Sequence, residues 1–141
     1  MKKHHDGLRY KMGVRCFSFP SKRRKYGNDK PTWNGITFDS RAECNRYILL
    51  SDMEKKGEIS NLRHQVPFEI QPGFEIHGHK QRAIKYVADF VYTDSNGVEH
   101  VEDVKGMATK EYIIKRKMMA YQGIIIEEPN KPSPWWDNSK K

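Results

Sequence analysis

Cysteine is scarce in this 141-residue chain, with only Cys16 and Cys44. Their spacing matches neither a metal knuckle nor a disulfide framework. Both therefore read as ordinary thiols in a reducing, cytoplasmic setting. Long apolar runs are missing as well. No stretch approaches the roughly 20 apolar residues that a membrane-spanning helix needs, which argues against a membrane partner. The basic start is not followed by the apolar segment of a secretory signal. The sequence also has no glycine-rich phosphate loop, no nucleophile elbow and no HExxH pair, which excludes the chemistries those motifs carry.

Acidic residues are sparse at one end only. The net charge is +8, with 26 Lys and Arg against 18 Asp and Glu. Residues 1–38 hold ten of the basic residues against Asp6 and Asp29, so the whole excess lies there, and the remainder of the chain balances. Lys22, Arg23, Arg24 and Lys25 form the densest run, with Tyr10, Phe17, Phe19 and Tyr26 interspersed. An arm of this kind suits salt-dependent contact with a nucleic-acid backbone, or serves as a solubilising tail. Its lack of periodicity predicts an extended arm over residues 1–32.

The most informative stretch is residues 84–105, IKYVADFVYTDSNGVEHVEDVK. It reads as two strands around the turn Asp94-Ser95-Asn96-Gly97. A three-residue loop with Gly97 in the left-handed conformation pairs Asp94 with Val98. Counting back, Asp89 falls opposite Asp103, and Val87 opposite Lys105. Alternation then places Val87, Asp89, Val91, Val101, Asp103 and Lys105 on one face, with Tyr86, Ala88, Phe90, Tyr92, Val98 and Val104 on the other. A slip of one residue would exchange Asp103 for Glu102. Two facing carboxylates repel unless a cation joins them. A hard cation such as Mg²⁺, with Mn²⁺ as substitute, takes carboxylate and carbonyl oxygens and keeps water for a phosphate. Lys105 could orient a water or neutralise phosphate charge. The plainer alternative is an exposed polar face with a local salt bridge.

At these residues the chain resembles the PD-(D/E)xK nuclease superfamily, over residues 33–128. The runs NGITFDSRAE, GEISNLRHQVPFEI, VADF and VEDVKG are similar, in order and spacing, to a small phage-associated branch with a Holliday-junction-resolvase-like role. The resemblance implies a restriction-endonuclease-like α/β core. Its central mixed sheet of about four strands is flanked by helices in the order α-β-β-β-α-β. It also implies a metal-dependent endodeoxyribonuclease of phage or host cytoplasm, acting on DNA with branched DNA as a candidate substrate; symmetric cutting of a junction would favour a homodimer. A protein that keeps the fold and binds nucleic acid without cutting is the alternative. By resemblance, Asp89, Asp103 and Val104 hold the metal, Lys105 is the catalytic lysine, Glu43 is the helix acid and Gln65 is a glutamine near the site. The sequence departs from the pattern in having Ala88 where proline is common and Asp103 where glutamate is usual.

The rest of the chain organises around this core. Residues 33–38 read as a turn and a short strand. Ser40-Arg41-Ala42-Glu43 is a capping-box pattern, so Glu43 could reach back to the Ser40 amide instead of serving a metal. The helix runs through Tyr47, Ile48, Leu50 and Met53 and stops at Gly57. Residues 59–70 contain a strand in which Pro67 argues for an edge position or a strand break, and Gln65 points either to the site or to solvent. Residues 71–82 read as a connection whose His77 and His79 are too few for zinc. Lys80, Arg82 and Lys85 could touch a DNA backbone. A second helix over residues 109–122 has Ile113, Ile114, Met118 and Tyr121 as its buried stripe. Lys110, Lys115 and Lys117 lie on the other faces, as a phosphate-contacting rim or as ordinary solvated charges. Ile124-Ile125-Ile126 reads as a strand buried on both faces. From Pro129 a C-terminal tail, 129–141, carries Trp135-Trp136, which could pack back, join a dimer or stack on unpaired bases.

Overall fold

The computed structural model describes residues 30–137, so the basic run Lys22 to Lys25 and Cys16 lie outside the described residues. In chain order the elements are β1 (Thr32–Trp33), β2 (Ile36–Thr37), α1 (Arg41–Lys55), β3 (Ile59–Gln71), β4 (Phe74–Ile76), β5 (His79–Gln81), β6 (Ile84–Asp94), β7 (Glu99–Glu102), α2 (Lys110–Tyr121) and β8 (Ile126–Glu127). Two compact units meet within α1, between Asn45 and Arg46.

In the first unit, β1 and β2 form a small antiparallel hairpin, and the Phe38 N–H closes it by donating to the Pro31 carbonyl at 2.9 Å. Ser40 opens α1: its Oγ accepts from the Glu43 N–H at 3.1 Å. The return bond differs from the capping box expected. The Glu43 carboxylate accepts from the N–H of Asp39, not of Ser40, at 3.1 Å. Cys44 also corrects the expectation. It is disulfide-bonded rather than a thiol, and no described cysteine is free. A disulfide depends on proximity in the fold, which sequence spacing does not signal here.

The second unit is an α/β arrangement around a mixed four-stranded sheet of order β3-β6-β7-β8. β3, β6 and β7 run antiparallel, and β8 joins parallel to β7. β3 is an edge strand, as Pro67 demands, because proline has no N–H to give a second neighbour. The turn between β6 and β7 follows its residue chemistry. Gly97 has φ 80°, the Asp94 N–H donates to the Val98 carbonyl at 2.9 Å, and Asp94 Oδ1 accepts from the N–H groups of Asn96 and Val98. The ladder then reads Thr93↔Glu99, Tyr92↔His100, Val91↔Val101 and Phe90↔Glu102, the register the three-residue loop predicts.

The predicted division of faces fails at one point. Tyr86 and Ala88 pack in one cluster with Val91, Val101, Tyr112, Met119 and Ile126. Phe90 instead stacks on His64, with ring centroids 5.5 Å apart, and lies 6.2 Å from Tyr47 of α1. The side-chain alternation of β6 therefore changes phase between Ala88 and Val91, about Asp89. On the neighbouring strand, Gln65 falls between the pairs His64↔Phe90 and Val66↔Ala88, and it has φ 55°. A left-handed residue breaks the pleat at this level, so the residues on either side of Asp89 face different layers.

Two other expectations are corrected. α2 buries Tyr112 and Met119 and packs the expected Met118 partly against the core, while Ile114 is 59% exposed and Tyr121 94% exposed. The apolar residues of α2 are too many for one stripe, and only docking on the sheet selects the buried pair. Of Ile124-Ile125-Ile126 only Ile126 is buried and in a strand. β8 is short and at an edge, so the run is not covered on both faces. Residues 71–82, read as a connection, contain the β4–β5 hairpin. The segment after Pro129 is held to this unit, since Trp135 Nε1 donates to the Ile126 carbonyl at 2.7 Å and Arg116 lies 4.3 Å above the Trp135 ring.

His100 ties β7 to its surroundings through Asp94 Oδ2 at 2.9 Å and Glu127 Oε1 at 2.8 Å. The hydrogen bond to Asp94, reinforced by Glu127, holds the imidazole above its ordinary value. The same bond, with the Val98 N–H, holds the Asp94 carboxyl below its own. A raised histidine stabilises the fold below its unfolded value of about 6.5 and loses that contribution as pH rises through its folded value. A depressed carboxyl loses its contribution as pH falls through its folded value. Thermal unfolding followed by circular dichroism should therefore show Tm declining above about pH 6.5. His100→Asn should flatten that decline, and an unaltered profile would assign it to other groups.

Candidate active site

The site is built where β6 and β7 separate. Beyond Glu102 the chain leaves the ladder, and Asp103 donates its N–H to the Glu127 carbonyl at 2.9 Å. The next N–H, of Val104, turns to Asp89 and donates to Oδ2 at 2.8 Å. This bond continues the β6–β7 register through a side chain and fixes Asp89 beside the 103–105 segment. Gln65 Nε2 makes a long contact of 3.4 Å to the other oxygen, Oδ1.

Asp103 is completely buried. Its Oδ2 accepts a short hydrogen bond from the Tyr86 hydroxyl. Its Oδ1 lies 3.0 Å from Lys105 Nζ, an ion pair without hydrogen-bond geometry, and accepts no hydrogen bond. Lys105 is itself one-third exposed, and its ammonium lies 5.1 Å from the Tyr112 ring centroid. Burial first, and then the Asp103 charge, push the Tyr86 phenol far above its ordinary value. It is a fixed proton donor. Tyr112 is pushed up in the same way, by burial and by its hydrogen bond of 2.8 Å to Glu128. Glu128 is paired with Arg116 at 2.9 Å.

Glu102 is a different kind of acid. It is 1% exposed and receives Arg46 through two bonds of 2.8 and 2.6 Å and the Tyr92 hydroxyl at 2.7 Å. Its neighbour Asp103, not Glu102, stands with Asp89 and Lys105, which settles the one-residue slip. Tyr86, Tyr112 and Asn130 complete the surroundings, and the sequence did not reveal them. Simple alternation put Tyr86 on the face opposite Asp103. Asn130 Nδ2 donates to the Lys105 carbonyl at 2.6 Å and Lys131 Nζ to the Gly106 carbonyl at 3.1 Å, from a proline-rich segment with no local signal.

The structure thus brings Asp89, Asp103, Val104, Lys105 and Gln65 together. Glu43 belongs to the first unit, where it is buried and caps α1. Lys115 pairs with Glu111 at 2.8 Å on α2, and Lys110 and Lys117 are exposed on the same helix. Among the described residues, no group of three or more His, Cys, Asp or Glu forms an all-protein metal cage. Two carboxylates, one with a buried oxygen that accepts no hydrogen bond, and an adjacent main chain nevertheless fit a hard cation that keeps much of its water.

Gln65 carries a cost. A left-handed conformation disfavours a side chain by about 1–2 kcal/mol, and such strain collects at functional sites. Gln65→Gly should leave stability unchanged or slightly raised in urea unfolding. It should lower any activity of this site about tenfold, the amide being lost. Reduced stability with unchanged activity would make Gln65 a structural residue only.

A family model described as a protein of unknown function (DUF1064) matches residues 23–131 of the chain. No curated protein and no solved structure matches it.

Proposed function

The chain belongs to the DUF1064 family, and we propose that it is a metal-dependent endodeoxyribonuclease that hydrolyses phosphodiester bonds, with branched DNA as a candidate substrate. The observation that carries the reading is the joining of Asp89 to the Asp103-Val104-Lys105 segment by the 2.8 Å bond from the Val104 N–H. The same four residues are the ones to which the resemblance to PD-(D/E)xK nucleases assigns the metal and the catalytic lysine. Asp89, Asp103 and the Val104 carbonyl would hold Mg²⁺ or Mn²⁺. When bound, that ion supplies Lewis-acid polarisation of the phosphate and an acidified water. Tyr86 keeps the buried Asp103 carboxylate oriented by donating to Oδ2. Lys105, partly exposed, offers its ammonium to the charge that builds on a phosphate during displacement. Gln65 can donate to a phosphate oxygen from beside Asp89. Cutting two strands of a junction symmetrically would call for a two-fold dimer.

A second reading is a protein that binds nucleic acid without cutting it. It is favoured by the partners the carboxylates already have, Tyr86 on Asp103 and Val104 with Gln65 on Asp89. The deciding experiment is incubation of labelled four-way-junction, flap, linear duplex and single-stranded DNA with Mg²⁺, Mn²⁺ or EDTA, beside Lys105→Ala. Metal-dependent products that vanish with Lys105→Ala are expected. Binding without products in every condition would establish the second reading.

A further inference from the structure

The β4–β5 hairpin has no role in the site just described, and its residues are unusual for their position. It prolongs the β3–β6 pair, whose last matched residues are Gln71↔Ile84, beyond a break at Pro72-Gly73. A Cβ at Gly73 would meet the Gln81 carbonyl oxygen at 3.1 Å, so the two chains cross closely there. The tip is a two-residue turn with His77 at φ 48° and Gly78 at φ 79°, the left-handed pair that matches strand twist in a hairpin. All six residues of β4 and β5 are exposed. Phe74 and Ile76 lie two apart on one strand and so share a face, and each is 49% exposed.

A two-stranded ribbon with no cover is marginal by itself, and two large apolar side chains on one of its faces lower solubility. Charge identifies what suits them. Residues 72–85 carry Lys80, Arg82 and Lys85 against Glu75, a net +2; Glu75 is paired across the ribbon with Lys80, on the face opposite Phe74 and Ile76, which leaves Arg82 and Lys85 as the excess. Lys85, Arg82 and Lys80 follow one another up the ribbon from Asp89. They lie at most about 13, 23 and 30 Å from it along an extended chain. That reach falls within one turn of duplex DNA, about 34 Å, and a two-stranded ribbon is a size the major groove admits.

We infer that the β4–β5 ribbon is a duplex-DNA reader. It enters a groove within about one turn of the bond at Asp89, with Arg82 and Lys85 on phosphates and Phe74 and Ile76 against base edges. The inference rests on the nuclease reading for its substrate class and adds where, and how far from the reacting bond, the duplex is held.

The test measures binding of the full chain to fluorescein-labelled duplex in EDTA, so that no cleavage is required. Arg82→Ala with Lys85→Ala should weaken binding and reduce the slope of log affinity against log salt by about 2. Phe74→Ser with Ile76→Ser should weaken binding about tenfold with the slope unchanged. Both pairs are exposed, so circular dichroism should show native Tm. Wild-type affinity and slope in both variants would overturn the ribbon while leaving the nuclease reading intact. Failure of the unmodified protein to bind any DNA would remove both. If the Phe74 and Ile76 variant alters only the sedimentation coefficient, the apolar face is a contact between copies of the chain and the inference is wrong.

Discussion

Asp89→Ala is expected to reduce metal-dependent DNA cleavage by at least about a thousandfold, roughly 4 kcal/mol of transition-state stabilisation. Asp89 is half-buried, and both of its oxygens face the 103–105 segment and Gln65. Its removal takes away one of the two carboxylates that, among the described residues, stand together there to hold a hard cation. The alanine also leaves the Val104 N–H without its acceptor, a loss of about 1–3 kcal/mol in a buried setting. Asp89→Asn separates the two effects, because the amide oxygen still accepts from Val104 while the charge is gone. Cleavage should therefore fail in both variants, and stability should fall only in the first. DNA binding in EDTA should stay within about threefold of wild type in both, since phosphate contacts by distant cations supply most of the affinity. Normal cutting by Asp89→Asn would remove Asp89 from the chemistry and with it the proposed site.

The second large effect concerns stability. Glu102 is 1% exposed, and Arg46 reaches it through two parallel hydrogen bonds. Arg46→Ala leaves a buried carboxylate with Tyr92 as its remaining polar partner. Breaking such a pair from one side costs about 3–5 kcal/mol. With the Arg46 side chain 24% exposed, water can enter, and about 3 kcal/mol is expected from urea unfolding at constant m. Replacing both residues, Arg46→Met with Glu102→Leu, should restore most of the loss, because no charge is then stranded. A cost below about 1 kcal/mol for Arg46→Ala would show that Glu102 turns to solvent once released.

Glu102 and Asp103 are adjacent in sequence, yet only the Asp103 segment meets Asp89, and this contrast shows how far local reading reaches. The turn at Asp94-Ser95-Asn96-Gly97 sets the loop at three residues, and pairing then follows by counting. That is why Asp103 and not Glu102 could be matched to Asp89 before any fold was known. The limits of both helices were legible for the same reason: Ser40 opens α1 and Gly57 follows it, and α2 lies within residues 109–122. The edge position of β3 followed from Pro67. The buried face of α2 was not legible. Its apolar residues Ile113, Ile114, Met118 and Tyr121 point in several directions, and the sheet covers Tyr112 and Met119 instead.

The sequence by itself determined what depends on neighbours in the chain: the hairpin, its register, the helix limits and the juxtaposition of Asp89 with the Asp103-Val104-Lys105 segment. Backbone hydrogen bonding and turn chemistry act over a few residues, so counting suffices. Only the tertiary structure decided which layer each side chain enters. The phase of β6 changes about Asp89 beside the left-handed Gln65, which lets Tyr86 reach Asp103. Asn130 arrives from 25 residues away to hold the Lys105 carbonyl. Buried polar groups take whatever donor the packed fold brings within about 3 Å, and sequence spacing does not encode that proximity.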